Sequence, residues 1–139
     1  MNEPYYRSTV LRVGSEVVDM ARQGVVILFA EPVPEALETV SVIHKPGPPP
    51  GRLMAAGDVL CVGRMALTVR EVGAMADENL RSLGHLVVYG ETTDTPLLPG
   101  AIRAEGGLSA PGPGDAVAIA RPGGVGPADP GPEERGGAA

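Results

Sequence analysis

The sequence has few aromatic residues that could stack on nucleic-acid bases, and it has no apolar run long enough to span a bilayer. Only 3% of its 139 residues are aromatic and tryptophan is absent, so the core must be aliphatic. The net charge is −6 and the eleven basic residues are dispersed, which argues against nucleic-acid binding. The longest apolar run, "VVILFA" at 25–30, is too short to cross a membrane, and "MNEPYYRS" at the start lacks the regions of a signal peptide. These absences predict a cytoplasmic protein without direct membrane insertion.

Cysteine is also scarce. The single residue, Cys61, excludes an internal disulfide and leaves no second thiol for a zinc motif. Its neighbours, "DVLCVG", indicate an inert thiol on a buried strand, with a reactive thiol as the alternative.

Glycine (20 residues) and proline (15 residues) are abundant, which favours many turns over long helices. Between them lie short runs that are either apolar throughout or alternate between polar and apolar residues, as strands do. We predict seven or eight strands and therefore an all-β barrel or sandwich. The strands are expected at 8–13, 25–30, 40–44, 57–63, 66–73, 85–90, 100–106 and 114–120.

Helices are expected to be brief. Segments 15–24 and 75–84 each predict a short helix, and the second has Asp77 as a candidate N-cap and Gly84 at its end. A single helical turn is predicted at 34–39.

Two segments bear on domain organisation. "GDAVAIA" at 114–120 echoes "GDVLCV" at 57–62, which we interpret as shared turn chemistry and not as duplication. Residues 1–120 are predicted to form one domain. Residues 121–139 have almost no bulky apolar side chains and are predicted to be a disordered glycine- and proline-rich tail.

The candidate chemical groups are two histidines at predicted strand boundaries. His44 follows "VSVI" and precedes the loop "KPGPPPG", while His85 begins the strand "HLVVYG". A histidine at a strand end is commonly a structural hydrogen-bonding group. The rigid loop beside His44, however, is expected to hold its imidazole in one orientation with an exposed edge, as nucleophilic chemistry requires. Near neutral pH an imidazole is largely unprotonated and hence nucleophilic.

Other kinds of functional site have less support in the sequence. There is no phosphate-binding loop around the one lysine, Lys45, and no "GxSxG" motif. A metal site formed by His44, His85 and a carboxylate stays open, since sequence spacing neither supports nor excludes it. The proline-rich loop could also be a polyproline ligand for another domain, although a rigid loop explains it as well.

Several segments, in order, resemble the IIA component of the glucitol/sorbitol family of the bacterial phosphoenolpyruvate-dependent phosphotransferase system. The resemblance covers about residues 5 to 120. It is carried by "TVLRVGSEVVDM", "VIHKPG", "MADENLRSLGHLVV" and "LPGAIRAEG". It departs from the family pattern at Pro46, where members carry a second histidine two residues after the first, so a role for that imidazole does not transfer.

The resemblance implies a small closed or nearly closed β-barrel with one or two short helices. It also implies a phosphotransferase component that needs no cofactor. In such a protein a histidine, here matched by His44, accepts a phosphoryl group from HPr and passes it to a cysteine of the IIB component of a sugar-alcohol permease (IIB/IIC). His85 matches a supporting histidine. Alternatively, the chain is a non-catalytic regulatory or binding barrel derived from the same family.

Overall fold

The computed structural model describes residues 3–91 and 94–122, and within them eight strands close into a barrel. The strand order around the barrel is β1-β3-β2-β6-β7-β5-β4-β8. The strands are β1 (Tyr6–Val13), β2 (Val25–Ala30), β3 (Ser41–Pro46), β4 (Val59–Val62), β5 (Met65–Val72), β6 (Leu86–Gly90), β7 (Ala101–Glu105) and β8 (Ala116–Ala120). The predicted all-β barrel and its strands are thus confirmed.

Two short helices lie on the barrel, α1 (Val17–Arg22) and α2 (Ala76–Leu83), and a 3₁₀ turn spans Glu35–Leu37. Gly84 ends α2 in the left-handed region, as predicted. The predicted cap is wrong: Asp77 lies inside α2, and its carboxylate accepts a hydrogen bond from the Met54 backbone N–H at 2.7 Å. The Asp77 carboxylate therefore binds a backbone group outside the helix and does not cap the helix N-terminus.

The core lies inside the barrel because alternate residues of each strand point inward. The β1 pattern, with Tyr6, Ser8 and Val10 buried and the residues between them exposed, is representative. The inward-facing side chains of the other strands are mainly valine, leucine and isoleucine, and they meet in one cluster.

The fold repeats itself about a pseudo-twofold axis. The succession β1-α1-β2-β3 recurs as β5-α2-β6-β7: the first and last strands of each half pair antiparallel across a bulge, and the third and fourth elements pair parallel. β2 pairs antiparallel with β6, and β4 with β8, across the axis. Each half therefore has the same architecture around a shared core.

The register defines which residues correspond. Val10 precedes the bulge in β1 and pairs with His44, whereas Val69 precedes the bulge in β5 and pairs with Ala104. His44 and Ala104 are therefore equivalent positions. Asp58 and Asp115 match as well, since each carboxylate accepts the backbone N–H three residues before it. The "GD" echo thus marks equivalent turns of the two halves, which agrees with its interpretation as shared turn chemistry.

The loop after β3 is fixed to the barrel at several points. Gly47 N–H donates to the Arg7 carbonyl at 2.8 Å, and the Tyr5 hydroxyl donates to the buried Asp58 carboxylate at 2.6 Å. This anchoring agrees with the predicted rigid loop.

No helix among the described residues is long and apolar enough to cross a membrane. Apart from its first two residues, the predicted tail lies outside the described part of the chain. The boundary at residue 120 stays a prediction.

Candidate active site

His44 lies inside the barrel wall. It is the fourth residue of β3, with Val10 of β1 on one side and Ala30 of β2 on the other. The alternation along β3 directs its ring inward with Val42, and the residue is completely buried. Our expectation of an imidazole with an exposed edge at a strand end is wrong, because β3 continues through Lys45 to Pro46 by pairing with β1.

Both ring nitrogens of His44 have partners. Nδ1 lies 2.8 Å from Ser8 Oγ, and Nε2 lies 2.7 Å from the Gly84 carbonyl oxygen. A carbonyl can only accept, so in the neutral ring Nε2 carries the proton and the Ser8 hydroxyl donates to Nδ1. Burial lowers the pKa of His44 and outweighs the opposite effect of the Gly84 carbonyl. The resting imidazole is therefore neutral with its proton on Nε2.

Gly84 approaches His44 so closely because it has no side chain. Its φ of +63° follows helix α2, and a Cβ at this position would lie 2.5 Å from Ala30 Cβ and 3.3 Å from His44 Nε2. The α2–β6 turn, defined here as residues 83–85, is thus laid directly against the imidazole. Only glycine allows that contact without a shift of the backbone.

A cleft of about 320 Å³ opens on the outer side of this turn. Its walls are mainly apolar, and two charged side chains reach it: Arg81, which lies 3.5 Å from Glu78, and Glu31, which binds Arg12. The lining residues are Phe29, Ala30, Glu31, Pro32, Pro46, Arg81, Ser82, Leu83 and Gly84. Because Gly84 belongs both to this lining and to the His44 contact, the turn separates Nε2 from the cleft.

A second depression, of about 270 Å³, lies on the Ser8 side of the same strands. It is lined by Arg7, Ser8, Lys45 and their neighbours, so two cationic residues line the same depression as the residue that contacts Nδ1. Ser8 itself is almost buried, at 7% exposure.

His85 follows Gly84 but faces away from the barrel interior. Its ring stacks on Phe29, with centroids 4.6 Å apart and 27° between the planes. Burial lowers its pKa as well. Leu86 and Leu28, the neighbours of this pair in sequence, point into the core, so His85 and Phe29 lie on the outer face. The two predicted site residues therefore flank the same turn from opposite sides of the wall.

Sequence reasoning missed Ser8 and Gly84 as partners of His44. Gly84 was identified only as a helix end. For Ser8 a signal existed: the alternation of β1 assigns Ser8 to the apolar, inward phase of the strand, where a hydroxyl needs a partner.

The alternative of a metal site gains no support. Within residues 3–91 and 94–122, no three histidine, cysteine, aspartate or glutamate side chains are grouped closely enough to hold a metal ion.

Comparisons with known proteins agree on one family. The sequence model described as "PTS system glucitol/sorbitol-specific IIA component" matches residues 5–117. The chain is 31% identical over 101 residues to the PTS system glucitol/sorbitol-specific EIIA component of Escherichia coli K12, which covers 73% of this chain and 81% of that protein. The corresponding protein of Shigella flexneri gives the same identity and coverage.

The fold also has a counterpart among solved structures. The crystal structure of a PTS system IIA component from Enterococcus faecalis V583 superposes with a TM-score of 0.72 at 23% sequence identity. The match covers 82% of this chain and 98% of the other. At this identity the likeness concerns the barrel fold.

Proposed function

Since the chain belongs to the glucitol/sorbitol-specific IIA family of the phosphotransferase system, we propose that it is a cytoplasmic phosphocarrier whose phosphoryl group is held on His44. HPr is the proposed donor, and a cysteine of a IIB component is the proposed acceptor. The resulting flow of phosphoryl groups would drive uptake and phosphorylation of a sugar alcohol such as glucitol.

The observation that carries this proposal is the state of the His44 ring. It is neutral, held by two hydrogen bonds, and separated from an apolar cleft by one glycine. Nδ1 faces Ser8 and the barrel interior, so Nε2 is the nitrogen that a partner in the cleft reaches once the α2–β6 turn moves aside. Attack on phosphorus, in line with the departing nitrogen of the donor, requires a free electron pair at Nε2, so the proton that Nε2 donates to Gly84 at rest must leave first.

The cleft supplies what the transfer needs. Arg81 is half exposed and bound only loosely by Glu78, so its guanidinium is available to the equatorial phosphoryl oxygens. When a docked partner covers the cleft, its mainly apolar walls would exclude water and protect the phosphorus–nitrogen bond from hydrolysis. An apolar surface of this kind also suits transient protein partners.

For His85 we propose a supporting role through packing. It stacks on Phe29, which lines the cleft, and this stack restrains the residue next to Gly84. Loss of His85 should therefore slow phosphoryl transfer without abolishing it.

The test is intact-mass spectrometry after incubation with phosphoenolpyruvate, enzyme I and HPr. Wild type should gain one acid-labile phosphate, His44→Ala none, and His85→Ala one phosphate at a lower rate. Phosphate on His44→Ala would refute the assignment of the acceptor.

The burial of His44, with both nitrogens already bonded, favours one second candidate: a regulatory barrel that docks partners without being phosphorylated. That candidate predicts no phosphate on wild type when an HPr of proven activity is supplied. It also predicts unchanged partner binding in His44→Ala.

A further inference from the structure

The pseudo-twofold axis provides an internal control for the surroundings of His44. The two halves share their strands, bulges and registers, but their inward-facing residues differ in polarity at three equivalent positions. Counting back along β1 and β5 from Val10 and Val69, Tyr6 corresponds to Met65 and Ser8 to Leu67. With His44 and Ala104, one half carries three polar groups where the other carries three apolar ones.

The barrel fold does not require polar residues at these three positions. Met65, Leu67 and Ala104 fill the same places in the other half and are buried in the aliphatic core. Polar groups in such a setting cost free energy unless they are hydrogen bonded. The Tyr6 hydroxyl has no hydrogen-bond partner among the described residues, although the residue is only 3% exposed.

We propose, on the basis of the phosphocarrier function above, that Ser8 and Tyr6 are positioning residues that switch the proton-bearing nitrogen of His44. In the resting state Ser8 donates to Nδ1 and Nε2–H donates to Gly84, so Nε2 has no electron pair to offer. In the reactive state Nδ1–H donates to Ser8 Oγ, and the Ser8 hydroxyl turns to donate to the Tyr6 oxygen. The unused Tyr6 acceptor is what makes the second arrangement complete.

The geometry permits this rotation. Tyr6 and Ser8 are two residues apart on β1 and face the same interior. Burial, the larger effect, raises the pKa of Tyr6 to about 12, and the Ser8 hydroxyl opposes this rise. Ser8 is also one of the residues that line the depression with Arg7 and Lys45.

The proton balance is complete. When the α2–β6 turn moves away, the Nε2 proton passes to water in the cleft. Ser8 gives its proton to Nδ1 and takes one from water in the depression on its side. The freed electron pair at Nε2 then forms the new bond to phosphorus, while the electrons of the broken bond stay on the donor imidazole of HPr. The new phosphohistidine keeps its Nδ1–H bonded to Ser8.

Three variants at Tyr6 and Ser8 separate an effect on positioning from an effect on folding. Tyr6→Phe removes a hydroxyl that has no partner in the resting state, so its free energy of unfolding should equal or exceed that of wild type. Its phosphoryl occupancy at equilibrium with phospho-HPr should nevertheless fall roughly tenfold, the effect of losing one buried hydrogen bond in the product. Ser8→Ala should lose at least as much, and Ser8→Thr should restore part of it.

Matched controls lie on the other face of the wall. Ser41→Ala removes a buried serine hydroxyl that also has no partner in the described part of the chain, at a position equivalent to Ala101. Tyr89→Phe removes the hydroxyl of a buried tyrosine at the position equivalent to Phe29. Both should be phosphorylated as wild type.

A spectroscopic readout tests the switch independently of the family reaction. ¹⁵N-edited NMR of unphosphorylated protein should show His44 with Nε2 protonated, and Ser8→Ala should shift the Nδ1 resonance as its hydrogen bond is lost. The proposal is overturned if Nδ1 carries the proton at rest, or if Ser8→Ala and Tyr6→Phe are phosphorylated to the wild-type level. If wild type accepts no phosphate from active HPr, the proposed function fails, and the NMR result alone decides whether Ser8 sets the tautomer.

Discussion

Replacement of Gly84 by alanine tests the contact that closes the site. The new Cβ would lie 2.5 Å from Ala30 Cβ and 3.2 Å from the Ala30 backbone nitrogen, and neither atom belongs to a flexible side-chain end. Backbone strain at φ +63° adds about 1–2 kcal/mol, and overpacking adds about 1–3 kcal/mol. We therefore expect a loss of about 2–5 kcal/mol in the free energy of unfolding.

Gly57→Ala is the matched control. Gly57 has φ +95°, outside the small left-handed region open to alanine, yet a Cβ there would meet nothing within 4 Å. If backbone strain dominated, Gly57→Ala would be the more damaging substitution. If the close approach to Ala30 dominates, Gly84→Ala is worse by about 1–3 kcal/mol.

Urea denaturation followed by far-ultraviolet circular dichroism measures both variants, since the chain has no tryptophan to report unfolding by fluorescence. Equal or smaller destabilisation in Gly84→Ala would refute the idea that the α2–β6 turn is packed tightly over His44. The barrier between Nε2 and the cleft would then be a loose one.

Three further predictions concern stability. His44 and His85 have lowered pKa values in the folded state, so the free energy of unfolding should decrease as the pH falls below the unfolded-state pKa of about 6.5. His44 should contribute a slope of no more than about 1.4 kcal/mol per pH unit. Urea titrations at several pH values measure this dependence, and a flat profile would contradict it. Tyr5→Phe should cost about 1–3 kcal/mol because the buried Asp58 loses its 2.6 Å donor, and in an Asp58→Asn background the cost should shrink. Asp77→Ala should accelerate amide hydrogen exchange at Met54 while leaving exchange at Gly47 unchanged, because only the Met54 N–H donates to Asp77.

Local features of the sequence were enough to predict the strands. Alternation along β1 and the glycine before β4 depend on residues next to each other, and both survive in the structure. The pairings were beyond reach: β1 joins β8 across the whole chain, and β2 joins β3 in parallel, so neither follows from neighbouring residues. Ser8 escaped notice for the same reason, because its contact with His44 depends on the register of β1 against β3.

The start of α2 shows that a local sequence signal can also give a wrong prediction. Asp77 has the residue type and position of an N-cap, but the fold offers it a better partner at Met54. Sequence likewise identified His44 without its environment. The motif "VIHKPG" marks the residue, whereas its burial follows from the continuation of β3 past it.

The unequal halves of the barrel imply an uneven tolerance to mutation. Met65, Leu67 and Ala104 contribute packing alone, so evolution or design can optimise these three positions freely for stability. Tyr6, Ser8 and His44 are buried polar residues, and replacing them with aliphatic residues would stabilise the fold. Selection for a hardier protein alone would therefore erase these three residues first, which makes their persistence in a sequence a sign that the barrel is still being used.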